Sequence, residues 1–141
     1  MYSIKVEASF SAAHNLRGYK GKCEELHGHN WKVEALVTKD KLDKTGMVTD
    51  FKYLKMKLSK VLEKLDHKYL NRIAYFKRVN PIRGRLPKAA VGHLRCPAYN
   101  GVNPTSENIA RFIYDEITRQ GLRLKSVTVW ENATCSATYE E

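Results

Sequence analysis

The chain has 141 residues, one domain's worth, of which 43% are hydrophobic and 28% charged. That apolar content excludes a mainly disordered chain, and eight Gly and four Pro exclude collagen-like or low-complexity sequence. A net charge of +10 points to an anionic partner, yet the charges are scattered and no nucleic-acid-binding fingerprint is present, so nucleic acid is not the expected partner.

The first seven residues alternate and carry an acid, unlike a signal peptide. No run approaches the roughly 18 apolar residues of a spanning helix, so a cytoplasmic protein without a membrane partner is expected. Over residues 2–10, Tyr2, Ile4, Val6, Ala8 and Phe10 share one face and Ser3, Lys5, Glu7 and Ser9 the other, which predicts a half-buried strand. Residues 15–26 hold Gly18 and Gly21 and read as a loop. Alternation returns over 30–38 through Trp31, Val33, Ala35 and Val37, with Leu36 the exception. From 51 to 65 the period changes: Phe51, Leu54, Leu58, Val61, Leu62 and Leu65 predict a helix, with Thr49 or Asp50 as its cap.

Residues 77–103 fit neither period. They carry Arg83, Arg85, Lys88 and Arg95, with no acid from Arg78 to Val102. Val79-Asn80-Pro81 recurs as Val102-Asn103-Pro104, which would mark the edges of an insertion over 81–103. A second helix is predicted over 106–119, with Ile109, Phe112, Ile113 and Ile117 as its stripe and Gly121 as its stop. Strands follow at about 124–131 and 134–139. The order ββααββ predicts a single α+β domain over 1–141, an antiparallel four-stranded sheet with both helices on one face.

Three histidines stand out. His27 and His29 lead into the second strand and, two apart, point the same way. His14 is in phase with Phe10 and Ala12 just past the first strand. If the strands pair, three imidazoles converge, the usual composition of an open, catalytic zinc site. Cys23 would then be a reactive thiol, a fourth ligand or an inert side chain. Cys135 reads as a core residue of the last strand. Asp66-His67 is either an acid/base pair or a helix C-terminus where His favours the dipole. Glu131 continues the Val127, Val129 face, so a carboxylate falls on the buried side and needs a partner: a ligand's N–H groups, or a Lys or Arg.

In order, the chain presents Phe10-Ser11-Ala12-Ala13-His14, Cys23-x3-His27-Gly28-His29, Val48-Thr49-Asp50-Phe51, Leu65-Asp66-His67, Pro104-Thr105-Ser106-Glu107-Asn108 and Trp130-Glu131. This series resembles the 6-pyruvoyltetrahydropterin synthase and 6-carboxytetrahydropterin synthase family, which has the tunnelling (T-) fold. The resemblance covers all but roughly residues 81–103. It implies zinc on His14, His27 and His29, with Cys23 as the proton-abstracting thiolate. Asp66 and His67 would be the partner acid/base pair, and Glu131 would grip the pterin's N–H groups. Thr105 and Glu107 fall among the implied substrate-binding positions. Arg17, Lys20 and Lys22 are the expected triphosphate contacts.

The implied substrate is 7,8-dihydroneopterin triphosphate. The three-residue gap between Cys23 and His27 resembles the bacterial 6-carboxytetrahydropterin synthases of queuosine synthesis, lyases that release acetaldehyde and triphosphate. The alternatives are a 6-pyruvoyl synthase, or a metal- or nucleic-acid-binding module on the same fold. The family also implies a homo-oligomer, trimer or hexamer, with active sites at subunit interfaces.

Overall fold

The structure is a computed structural model and describes residues 1–77 and 102–141. The 81–103 segment lies outside the described residues except for Val102 and Asn103.

Alternation decides the two long strands. β1 (Tyr2–His14) and β2 (His27–Lys39) pair antiparallel along their whole length, Tyr2 opposite Lys39 and His14 opposite His27. Both exceed the predicted spans. Alternation continues through Ser11–His14, but small alanines and a polar histidine hide it; Ala12 and His14 are nonetheless buried.

α1 (Phe51–Leu62) is capped by Asp50, whose carboxylate accepts from the Lys52 N–H. It stops three residues before the predicted end. Tight bonds from Lys64 N–H to Val61 O and from Leu65 N–H to Leu62 O close the last turn, so Leu65 still reaches the core. α2 (Ser106–Arg119) matches its predicted span. Leu54, Leu58 and Val61 of α1 and Ile109, Ile113 and Ile117 of α2 are fully buried. They pack on the face carrying Phe10, Trp31, Val33, Val127 and Val129. Burial of such side chains stabilises by about 1.5–3 kcal/mol each.

β4 (Ser126–Trp130) and β5 (Ser136–Glu140) form the closing hairpin. The expected four-stranded antiparallel sheet is corrected to a five-stranded mixed one. A short strand β3 (Lys68–Tyr69) pairs parallel to Ala12 and Ala13, giving the order β3-β1-β2-β4-β5. Two residues are too few to show a period, so this strand has no sequence signature. Cys135 is a second correction: it sits in the β4–β5 turn, exposed, not in the core. Among the described residues no helix is long and apolar enough to cross a membrane.

Candidate active site

The β1–β2 register assembles the centre. His14 lies opposite His27 and His29 opposite Ala12, so three imidazoles project from one sheet face. Their ligand atoms all lie within 4.8 Å of one another. Trp31 floors the cluster, its ring meeting those of His14 and His29 edge-on at 4.9 and 5.0 Å. The Trp31 Nε1–H donates to the Ala12 carbonyl.

Two backbone carbonyls decide which nitrogens face inward. His14 Nδ1 is 2.7 Å from the Pro104 oxygen, and His27 Nδ1 is 2.8 Å from the Glu25 oxygen. A carbonyl only accepts, so both Nδ1 atoms carry the proton and, in the neutral rings, both Nε2 atoms are bare. Those Nε2 atoms face each other at 3.0 Å. Two lone pairs so close repel unless a cation joins them. Burial holds His14 below its ordinary pKa, and the Pro104 bond only partly opposes this. Burial likewise lowers His29, with Glu131 opposing. The buried His29 Nε2 has no hydrogen-bond partner among the described residues; Glu131 Oε1 stands 3.5 Å away, beyond good hydrogen-bond geometry. Three convergent imidazoles, two of them oriented by carbonyls, fit a metal ion.

Glu131 follows the end of β4 and is about a third exposed, so it is less buried than alternation predicts. Among the described residues it lies against the His29 imidazole rather than forming an ion pair with a Lys or Arg.

Asp66 and His67 form a second unit. The Ser11 N–H donates to Asp66 Oδ1 at 2.9 Å, and the His67 N–H donates to the Ser11 oxygen. Asp66 Oδ2 is 2.9 Å from His67 Nδ1. The Ser11 bond first, and His67 second, hold the Asp66 carboxyl below the usual carboxylate range. His67 has φ 55°, a left-handed conformation unusual for a residue with a side chain, and its imidazole is 83% exposed. It opens onto a groove of about 560 Å³ shared with Ser11, Gly28, His29, Asn30 and Tyr69.

Cys23 is half-buried in the tight turn Lys22–Glu24, its carbonyl accepting from the Leu16 N–H at 2.8 Å. Among the described residues the clustered metal-ligating atoms are those of the three histidines, without Cys23. Lys20 and Lys22 are exposed beside it. Arg17 directs Nη2 to the carbonyls of Phe76 and Val102, at 2.7 and 3.0 Å. Thr105 is the N-cap of α2, accepting from the Asn108 N–H, and Glu107 is exposed in the first turn.

Sequence reasoning misses the Pro104 and Glu25 carbonyls, which have no residue signature. It also reads Trp31 as core alone and passes over Ser11, whose place inside the Phe10–His14 motif was the available signal.

A family model described as 6-pyruvoyl tetrahydropterin synthase matches residues 3–141. The chain is 35% identical over 147 residues to the 6-carboxy-5,6,7,8-tetrahydropterin synthase of Haemophilus influenzae, covering 100% of both. It is 32% identical over 131 residues to the dihydroneopterin monophosphate aldolase of Pyrococcus furiosus, covering 91% of this chain and 88% of that one. Among solved structures, the Caenorhabditis elegans 6-pyruvoyl tetrahydropterin synthase superposes with a TM-score of 0.73 at 26% identity, over 99% of this chain and 95% of the other. With the motifs, the sheet and the matched length in agreement, this chain belongs to the 6-pyruvoyl tetrahydropterin synthase family.

Proposed function

We propose that the chain is a zinc-dependent 6-carboxytetrahydropterin synthase. It converts 7,8-dihydroneopterin triphosphate and water to 6-carboxy-5,6,7,8-tetrahydropterin, releasing acetaldehyde and triphosphate, and serves queuosine biosynthesis. The observation that carries the reading is the trio His14, His27 and His29, two of whose Nε2 atoms face each other at 3.0 Å with both Nδ1 protons committed to carbonyls. The Cys23-x3-His27 spacing and full-length identity to a relative of that name support the carbon–carbon lyase over the pyruvoyl enzyme.

Zinc on these three nitrogens would make the substrate's side-chain hydroxyls more acidic. The chain's own groups do the rest. Cys23, as thiolate, removes a proton from the side chain. Asp66 accepts the His67 Nδ1 proton, which orients the ring and leaves Nε2 to exchange protons with the substrate. Glu131 accepts N–H bonds from the pterin ring. Arg17, Lys20 and Lys22 supply the cationic groups that meet the triphosphate, and Thr105 and Glu107 are further substrate-binding positions. The exposure of His67 supports a site completed by a second protomer of a trimer or hexamer.

The test is incubation with 7,8-dihydroneopterin triphosphate and mass identification of products. Carboxytetrahydropterin with acetaldehyde is expected. Triphosphate release without acetaldehyde would return the chain to the pyruvoyl reaction. The Pyrococcus relative favours a parallel incubation with the monophosphate, where preferred turnover would overturn the triphosphate as substrate.

A further inference from the structure

Beyond β1 the Asn15–Arg17 backbone pairs with no strand among the described residues. Two asparagine side chains take that place. Asn71 donates Nδ2–H to the Asn15 oxygen at 2.8 Å and accepts the Asn15 N–H at 3.0 Å. Asn103 does the same two residues on, donating to the Arg17 oxygen and accepting the Arg17 N–H, both at 2.9 Å. Each carboxamide thus satisfies both the N–H and the C=O of one residue, as a residue of a neighbouring strand would. Leu16 N–H meets the Cys23 oxygen at 2.8 Å, and Asn15 Nδ2–H meets the Glu24 oxygen at 3.2 Å.

Both asparagines are themselves held. Asn71 is 7% exposed, and Asn15 Oδ1 also accepts from the Tyr69 hydroxyl. The Asn103 oxygen accepts from Asn108 Nδ2–H at 2.9 Å. A chain of paired amides therefore runs from α2 and from the Leu70–Arg72 turn to the Cys23 turn.

We propose that Asn71 and Asn103 are positioning residues that hold Cys23 in place for proton transfer through the backbone of Asn15–Arg17. The inference rests on the reading of Cys23 as the proton-moving thiol. A single hydrogen bond would let the turn hinge; two bidentate pairs remove that freedom. An amide is required because each pair needs one donor and one acceptor on the same planar group.

The test compares Asn103→Asp with the parent, since the carboxylate keeps the shape, loses the donor and repels the Arg17 oxygen. Turnover of 7,8-dihydroneopterin triphosphate should show kcat reduced at least tenfold with KM within threefold. Iodoacetamide alkylation of the native protein, assigned by peptide mass spectrometry, should be at least fivefold faster at Cys23. The rate at the exposed Cys135 should be unchanged and serves as internal reference. If Asn103→Asp does not fold, Asn71→Ser removes the equivalent pair without adding charge and is read the same way. A folded variant with kcat and Cys23 alkylation both within twofold of the parent overturns the proposal. The alkylation measurement needs no substrate. A parent that turns over no pterin defeats the proposed function, while the Cys23-to-Cys135 rate ratio still decides the clamp.

Discussion

At residue scale, the division of labour between His27 and Cys23 makes a sharp contrast. His27 supplies one of three convergent nitrogens, and Cys23 stands outside that cluster. His27→Ala should lose both metal and turnover, whereas Cys23→Ala should lose turnover yet keep about one metal per chain, as in an open three-ligand site. Elemental analysis of the two purified variants checks this; metal loss in Cys23→Ala would make the thiol a ligand. Acid should act through the same nitrogens. The folded pKa values of His14 and His29 lie below the ordinary value, chiefly through burial. The unfolded chain therefore binds protons that the folded, metal-free protein refuses, and stability rises with pH in that window. Thermal midpoints of the metal-free protein should be level above about pH 7 and fall as pH drops below about 6.5. Asp66, with a lowered carboxyl pKa, adds stability that is lost only at lower pH, below about 4. A midpoint unchanged between pH 7.5 and 5 would contradict the lowered pKa of His14 and His29.

At the scale of elements, the turn from α1 to β3 stores strain where the exposed imidazole sits. His67 keeps φ 55° because its N–H bonds the Ser11 oxygen and the neighbouring Asp66 bonds the Ser11 N–H. A left-handed residue with a Cβ costs about 1–2 kcal/mol, while glycine meets no such cost. His67→Gly should therefore leave thermal stability within about 1 kcal/mol of the parent, or raise it, while turnover falls. Calorimetry beside the product assay checks the pair. A variant that is strongly destabilised would show that the His67 ring holds the turn together, and retained turnover would remove it from the proton path. The helices need no such conflict: Asp50, one of the two expected caps, closes the start of α1, Thr105 caps α2, and their apolar stripes meet the sheet.

At the scale of the molecule, the repeated Val-Asn-Pro tripeptide bears on how much of the chain the fold needs. Val102 and Asn103 are integral: one offers its carbonyl to Arg17, the other pairs with the Arg17 backbone. Joining Asn80 to Pro104 would put Val79 and Asn80 where Val102 and Asn103 stand. Deleting 81–103 thus preserves the residue types of that clasp, and loop length itself costs little closure entropy. The shortened chain should keep its metal content, its assembly state and a thermal midpoint near the parent's. Metal analysis, size-exclusion chromatography and calorimetry check this, and failure to fold would make the segment part of the architecture.

Much of this was legible from residue order. Period-two and helical patterns place Phe10, Trp31, Val33 and the two helix stripes on the core face, because side-chain direction along a regular backbone is a local property. The same phase arithmetic puts His14, His27 and His29 together once the strands pair. Tertiary structure alone decided the rest. The Pro104 carbonyl that orients His14 lies 90 positions away, and a carbonyl belongs to every residue alike. β3 is too short for periodicity, and the exposure of Cys135 depends on where the β4–β5 hairpin turns. The pairing of Asn71 and Asn103 with the 15–17 backbone likewise appears only when distant segments close on one another, since side-chain amides carry no pattern that names their partners.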